Sequence, residues 1–205
     1  MLRDRLRQLR SALRDRYHAG VSQGRDRLNR PESWAQEPTR GHGRAELPSG
    51  LVLERSALAG AAEILAAVRR PGRLVLVHHW ATWAPAVEDD VPLLLELHLS
   101  WAQYVDFVGV GWELMVSNQS TEEAALSVDD FHRSFGLTWR TLIFQGRRGE
   151  LREALRLRSE LLPQTWLYDG EGKPVWLQEG ALDERAWQEL NGGITELTGV
   201  ADHPR

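Results

Sequence analysis

The sequence predicts an α/β sandwich with a mixed central sheet, and two observations lead to this fold class. Short, continuous apolar runs, each typical of a buried strand, alternate with longer segments of helical periodicity. The last two predicted strands, 165–169 and 174–178, are separated only by a glycine-containing turn at 170–172. Two strands so close in sequence form an antiparallel hairpin, so the sheet is not wholly parallel.

The globular part is expected to begin near Leu51 and to open with a helix over 56–70, which ends at Pro71. Ser127 and Asp130 have the spacing of a capping box, which predicts that a short helix starts there. The other elements are, in order, strand 74–80, helix 92–104, strand 105–112, strand 140–144, helix 150–161, the two hairpin strands and a final helix from Asp183.

The first 50 residues differ from the rest in pattern. In residues 1–19 the apolar side chains recur every three or four positions, which predicts one side of a helix whose other faces carry arginine. The candidate contact residues of this basic helix are Leu2, Leu6, Leu9 and Leu13. Residues 20–50 contain five glycines and three prolines, so we expect a poorly ordered linker. Residues 199–205 are expected to form a tail.

The charge of the chain is unevenly distributed. The whole chain has a net charge of −4, whereas residues 1–30 hold nine Arg against three Asp, a net of +6, which leaves −10 for the remainder. Because the body is acidic, we expect no nucleic-acid partner. The basic helix is best suited to bind another protein or to self-associate. It could also fold back on the acidic body of its own chain or of a neighbouring copy. Peripheral membrane contact is less favoured, since its apolar stripe lacks Trp and Phe.

Two absences narrow the class of protein further. The chain has no cysteine, which excludes disulfides, thiolate nucleophiles and thiolate metal sites. It also has no apolar window of about 18 residues, and charges interrupt its N-terminus where a signal peptide needs an apolar run. We therefore expect a cytoplasmic protein.

Residues 72–92, GRLVLVHHWATWAPAVEDDVP, carry a family resemblance. They resemble the thioredoxin superfamily, in particular the TlpA-like thiol-disulfide oxidoreductases and the neighbouring redoxins, in which a buried strand runs into W-A-T-W-C-x-x-C and a helix with a proline. The matching residues are Trp80, Ala81, Thr82, Trp83 and Pro92. Ala84 and Val87 stand where the two cysteines would be, with Pro85 and Ala86 between them.

A second segment supports the same resemblance. Residues 162–184, LPQTWLYDGEGKPVWLQEGALDE, are similar to the family's segment of a cis proline, a strand, an Asp-x-x-Gly turn and a return strand. Pro163 would be the cis proline and Asp169–Gly172 the turn. The resemblance implies a thioredoxin-like three-layer α/β/α sandwich over residues 51–198, with a peptide-docking groove made by Trp83, Pro85, Leu162 and Pro163.

Two functions stay open at this point. The first is a redox-inactive thioredoxin-fold protein that acts by protein binding, as a scaffold, a chaperone-like protein or a regulatory subunit. The alternative is an oxidoreductase by ancestry, which is active only with a partner's cysteine or through chemistry that uses no thiol. We favour the first, because thiol catalysis needs a thiolate that this chain does not have. No catalytic residue and no cofactor is predicted.

The remaining chemistry-bearing residues give weaker indications. His78 and His79 are adjacent on a strand and point to opposite faces, so they do not predict a metal site. The acidic run Glu88 to Asp90 either complements the helix dipole or forms a charged rim. His132 lies near Asp129 in sequence, which is weak evidence for an acid–base pair.

The nine tryptophans are high for a chain of this length. Aromatic side chains fill cores and also form interaction surfaces. We assign Trp101, on a leucine-rich face, to the core. Trp83, Trp112 and Trp139 are better candidates for exposure.

Overall fold

The computed structural model describes residues 55–115, 119–147 and 149–200. The predicted basic helix with its leucines, the linker, and the tail beyond Val200 lie outside the described residues. The fold described below is therefore that of the predicted globular part.

A six-stranded mixed sheet forms the centre of this part, in the order β1-β4-β3-β2-β5-β6. The strands are β1 (Ser56–Ala59), β2 (Leu74–Trp80), β3 (Val105–Gly111), β4 (Arg140–Phe144), β5 (Gln164–Tyr168) and β6 (Pro174–Glu179). The first four in this order run parallel to one another, whereas β5 is antiparallel to β2 and β6 is antiparallel to β5. The predicted mixed sheet with its closing hairpin is confirmed.

Helices cover both faces of the sheet. They are α1 (Ala61–Ala67), α2 (Val87–Trp101), α3 (Thr121–Phe135), α4 (Glu150–Leu155) and α5 (Glu184–Thr198). Buried residues of α2, α3 and α5 form one apolar core with the sheet, and those of α1 and α4 form the core on the other face. Strand β2 lies between the two cores and is buried along nearly its whole length, which explains why its sequence is apolar except for His78 and His79.

The predicted helix over 56–70 is wrong in its first part. Residues Ser56–Ala59 form β1, which pairs in parallel with β4 at the edge of the sheet. The Ser56 hydroxyl also donates to the buried Asp129 carboxylate at 2.6 Å. Local periodicity favoured a helix, but the hydrogen bonds to β4 are long-range and outweigh a local preference.

The start of α3 also differs from the prediction. Its N-cap is Ser120, whose hydroxyl accepts from the Glu123 N–H at 3.2 Å while the Glu123 carboxylate accepts from the Ser120 N–H at 2.9 Å. Ser127 lies inside the helix instead. Ser120 and Ser127 are each followed three positions later by an acidic residue, which is the capping-box spacing. The helix starts at Ser120, so Ser127 is already inside it. The other shifts are smaller: α2 begins at Val87 and α4 ends at Leu155.

Gly109 allows a close approach between β3 and its neighbours. A Cβ at this position would lie 2.1 Å from Thr141 Oγ1 and 2.9 Å from Trp80 Nε1. We expect Gly109→Ala to lower the free energy of unfolding by about 1–3 kcal/mol, the usual range for overpacking a core.

Urea unfolding of both proteins measures this effect. Gly192→Ala is the matched control, because Gly192 lies in α5 and a Cβ there would meet nothing within 4 Å. That change should stabilise the protein by about 0.5–1 kcal/mol through helix propensity. Equal behaviour of the two variants would contradict the packing argument.

Candidate functional site

The two segments that carry the family resemblance meet at one end of the sheet. In the register of β2 with β5, His79 pairs with Gln164, so the preceding Pro163 lies beside Trp80 at the carboxyl end of β2. The peptide bond between Leu162 and Pro163 is cis, as the resemblance implied. The loop that follows Trp80 is therefore next to Leu162 and Pro163.

The eight motif residues, 80–87, divide by burial. Trp80, Ala81, Ala84 and Val87 are buried. Thr82 and Trp83 are half-buried, whereas Pro85 and Ala86 are exposed. The positions where relatives carry cysteine are thus filled by small or medium apolar side chains that pack into the protein.

Only the last residue of the stretch Ala84 to Val87 lies in a helix. Helix α2 begins at Val87, and its N-cap Ala86 has a left-handed backbone with φ +61°. Ala84 lies before the helix and donates its N–H to Ala81 O at 3.0 Å, which closes a turn. The position equivalent to the first cysteine therefore lies in this turn.

Glu113 is hydrogen-bonded to the motif loop, residues 81–86. Sequence reasoning did not identify this residue. Its carboxylate is fully buried and accepts from the Thr82 N–H at 2.5 Å and from the Thr82 hydroxyl at 2.9 Å. Burial raises the pKa of Glu113 to about 7, although the two hydrogen bonds from Thr82 act in the opposite direction. A single acid inside the apolar sequence VGVGWELM was the only available sequence signal.

The adjacent histidines lie on opposite faces of the sheet, as predicted, and both are buried. His78 Nδ1 is 3.0 Å from Thr165 Oγ1, and His79 Nδ1 accepts from Trp112 Nε1 at 3.2 Å. Burial lowers the pKa of each histidine to about 3, with the proximity of His78 adding to the effect on His79. Both rings are therefore neutral at pH 7.

Asp90 differs from its two acidic neighbours. Its side chain is fully buried and accepts from the Leu182 N–H at 2.6 Å, which ties α2 to the segment before α5. His78 Nε2 is 3.8 Å from the Asp90 carboxylate, but at that distance and with a neutral ring we do not treat the contact as an ion pair. Only Glu88 and Asp89 remain candidates for a charged rim.

Two of the three tryptophans expected to be exposed are buried. Trp112 is 2% and Trp139 is 7% exposed, because both pack among aromatic rings of the core. Trp101 lies in the core, as predicted. Trp83 is half-buried and packs against the core, so it alone of the three contributes to the surface of the site.

The suggested acid–base pair of His132 and Asp129 is not available for catalysis. Both side chains are buried, and His132 Nε2 is 2.8 Å from Thr141 Oγ1. Asp129 accepts from the hydroxyl of Ser56. The helix that carries them is long and packed on the sheet, not short and exposed as we expected.

The predicted groove residues differ in burial, and two of them, Trp83 and Leu162, pack against the same core. Trp83 and Leu162 are half-buried, Pro85 is exposed, and Pro163 is buried. Leu161 next to them is 65% exposed. Among the described residues, neither the N–H nor the C=O of Leu162 has a hydrogen-bond partner. The site thus offers an apolar surface beside an unpaired backbone unit.

Near the groove, other kinds of site find little support in the described part of the chain. No group of three His, Asp or Glu side chains there is placed to hold a metal ion. Two cavities of about 390 and 350 Å³, near Val105 and Leu74 respectively, lie at the opposite end of the sheet from the groove. Within residues 55–200, gaps excepted, no helix is long and apolar enough to cross a membrane.

Comparison with solved structures identifies the fold. The crystal structure of the thioredoxin-like superfamily protein SPOA0173 matches with a TM-score of 0.52 and 19% identity, over 68% of this chain and 87% of that chain. Weaker matches include StoA from Bacillus subtilis, with a TM-score of 0.45 and 20% identity over 61% of this chain and 84% of StoA. A thiol-disulfide isomerase from Corynebacterium glutamicum matches with a TM-score of 0.49 and 19% identity, over 60% of this chain and 81% of that chain.

No family model and no curated protein matches the chain. The match to SPOA0173 gives the chain a thioredoxin-like fold, as its sequence resemblance implied. Its structural neighbours include TlpA- and DsbE-like thiol-disulfide oxidoreductases. Since it contains no cysteine, it is not a classical thiol redox enzyme.

Glu113 should give the protein a pH-dependent stability. The pKa of the folded state, about 7, lies above the ordinary value of 4.5, so the folded state holds the proton more tightly than the unfolded state does. The tighter proton binding adds about 3 kcal/mol to the free energy of unfolding. This stabilisation is fully present below pH 4.5 and is lost as the pH rises through 7. Glu113→Gln should remove this part of the pH dependence, because the amide oxygen still accepts from Thr82.

Urea unfolding between pH 4.5 and 8 measures the effect in both proteins. The buried histidines act in the opposite direction, since their stabilisation is present above pH 6.5 and is lost toward pH 3. They are the same in both proteins, so the difference between wild type and variant isolates Glu113. Parallel stability curves would contradict the role given to this carboxyl group.

Proposed function

We propose that this chain binds an extended segment of another protein at the groove of Trp83, Pro85, Leu162 and Pro163, without thiol chemistry. The observation that carries the proposal is the unpaired N–H and C=O of Leu162 beside an apolar surface. The role is that of a scaffold, a chaperone-like protein or a regulatory subunit.

The physical argument rests on main-chain pairing. An extended peptide that lies along Leu162 can donate to its C=O and accept from its N–H, and each such bond contributes about 0.5–1.5 kcal/mol net. The half-buried Trp83 and the exposed Leu161 supply apolar contact on either side. Binding of this kind needs no sulfur, so it remains available to a chain without cysteine.

Binding without turnover also agrees with the positions of the titratable groups. The described groups with strongly shifted pKa values near the motif, which are Glu113, His78, His79 and His132, are all buried. A general acid or base has to reach the reacting atom. A cytoplasmic location stays a prediction from the sequence.

Selection of extended peptides from a displayed library against the full-length chain tests the proposal. Dissociation constants of the selected peptides are then measured for wild type, Trp83→Ala and Leu162→Ala by fluorescence anisotropy. We expect each substitution to weaken binding by about tenfold, which corresponds to 1.4 kcal/mol. N-methylation of the peptide amides that face Leu162 should weaken binding to a similar degree, because it removes main-chain donors.

Leu99→Ala is the matched control. Leu99 is 84% exposed on α2, several turns from the motif loop, so its truncation should leave peptide affinity unchanged. All variants should keep the wild-type melting temperature to within a few degrees. Unchanged affinity of the two groove variants would show that the peptides bind elsewhere, and the proposal would then be withdrawn.

A further inference from the structure

We infer that the larger of the two cavities, about 390 Å³ in volume, binds a small organic anion between Arg70 and Arg140. The cavity opens where strands β3 and β4 begin, at the opposite end of the sheet from the groove. Its lining residues come from α1 and the segment just after it, from α2, and from the first residues of β3 and β4. The inference is therefore independent of the proposed peptide binding.

The carboxylate of Asp106 fixes the guanidinium of Arg70 at the wall of this cavity. Arg70 Nε donates to Asp106 Oδ2 at 3.0 Å, and Arg73 Nε donates to Asp106 Oδ1 at 2.8 Å. The two Nη groups of Arg73 donate to the backbone carbonyls of Gln103 and Ala102. Those of Arg70 have no acceptor among the described residues, so they are available to a ligand.

Arg140 brings a second guanidinium to the same cavity. It is the first residue of β4, pairs in register with Val108, and lines the cavity together with Arg70. In the part of the chain that the structure describes, its guanidinium has neither a hydrogen-bond acceptor nor an ion-pair partner. Among the described lining residues, Asp106 is the only acid. With Arg73 included, three arginines stand against this one carboxylate, whereas the chain beyond residue 30 carries a net charge of −10.

His98 adds a further hydrogen-bond donor to the cavity wall. Two aromatic rings hold its ring in place: the ring centroid lies 4.9 Å from that of Phe107 and 5.1 Å from that of Trp139. Burial lowers the pKa of His98, so the ring is neutral at pH 7 and one of its nitrogens carries a proton. Neither ring nitrogen has a hydrogen-bond partner among the described residues.

These donors and the rest of the lining define the chemical class of the ligand. The planar fork of a guanidinium matches two oxygens of a carboxylate or a phosphate group, and hydrogen bonds to such an anion are stronger than those to neutral acceptors. Phe107, Val108 and Trp139 make the rest of the lining largely apolar. Small-molecule sites typically have volumes of roughly 300–1,000 Å³ and combine an apolar lining with a few polar groups. The ligand therefore carries one oxyanion group on a compact apolar body.

Titration of the full-length chain with phenyl phosphate tests the inference. Isothermal titration calorimetry gives the dissociation constant, and the histidine ring signals in NMR spectra report the place of binding, with His98→Gln identifying the signal of His98. We expect saturable binding that shifts this signal. Inorganic phosphate should bind about tenfold more weakly, because it lacks the apolar body. Phenol, which has no oxyanion group, should not bind measurably.

Single substitutions separate the cavity from general charge attraction. Arg70→Gln and Arg140→Gln should each weaken the binding of phenyl phosphate by about tenfold, since each removes a charged donor. Arg152→Gln is the matched control. Arg152 is an exposed arginine of α4, the helix that follows the carboxyl end of β4, so its loss removes the same charge far from the cavity and should leave the affinity unchanged. All three arginines are exposed, so the melting temperature should stay within a few degrees of the wild-type value.

The outcomes that contradict the inference are distinct from one another. Absence of saturation at millimolar phenyl phosphate, or a His98 signal that does not move, would overturn the site. Equal weakening by all three arginine substitutions would show attraction by net charge alone and would also overturn it. Inorganic phosphate that binds as tightly as phenyl phosphate would overturn the role of the apolar lining and with it the organic class of the ligand.

Discussion

The pairing of strand β2 with neighbours on both sides is the constraint on which the rest of the structure depends. Its register with β5 sets Gln164 against His79, and this single pairing brings the motif loop beside Leu162 and Pro163 although some 80 residues separate them in sequence. Because side chains alternate across the strand, the same pairing sends His78 toward α2 and His79 toward the opposite core. A slip of one residue would exchange the two faces and bury the wrong groups.

The motif survives without its chemistry because several of its residues hold the fold together. Trp80 lies in the core and packs against Phe131 in a tilted arrangement, with ring centroids 4.6 Å apart. Thr82 is fixed to the buried Glu113 by two hydrogen bonds. Val87 and Ala84 fill apolar space where a thiol would otherwise lie. Loss of the Trp80 packing or of the Thr82 hydrogen bonds to Glu113 would lower the stability of the fold.

Prediction from the sequence succeeded where a pattern is local and failed where the partner is distant. The strands β2, β3, β4 and the closing hairpin were evident, because a buried strand has an unbroken apolar run. Strand β1 was mistaken for a helix, since only its hydrogen bonds to β4 make it a strand. For the candidate site, the groove residues are a prediction that came from the family resemblance. Glu113 was not, because one acid in an apolar run does not say what it bonds to.

The sequence by itself determined the order of the elements from β2 onward, the two segments of the resemblance and the exclusion of thiol chemistry. These depend on residue identity and spacing along the chain. Only the tertiary structure decided that Trp112 and Asp90 are buried, that Glu113 carries a raised pKa, and that Leu162 keeps an unpaired backbone unit beside the motif loop. Burial and hydrogen bonding are properties of residues that meet across the fold, so they follow from packing and not from local sequence.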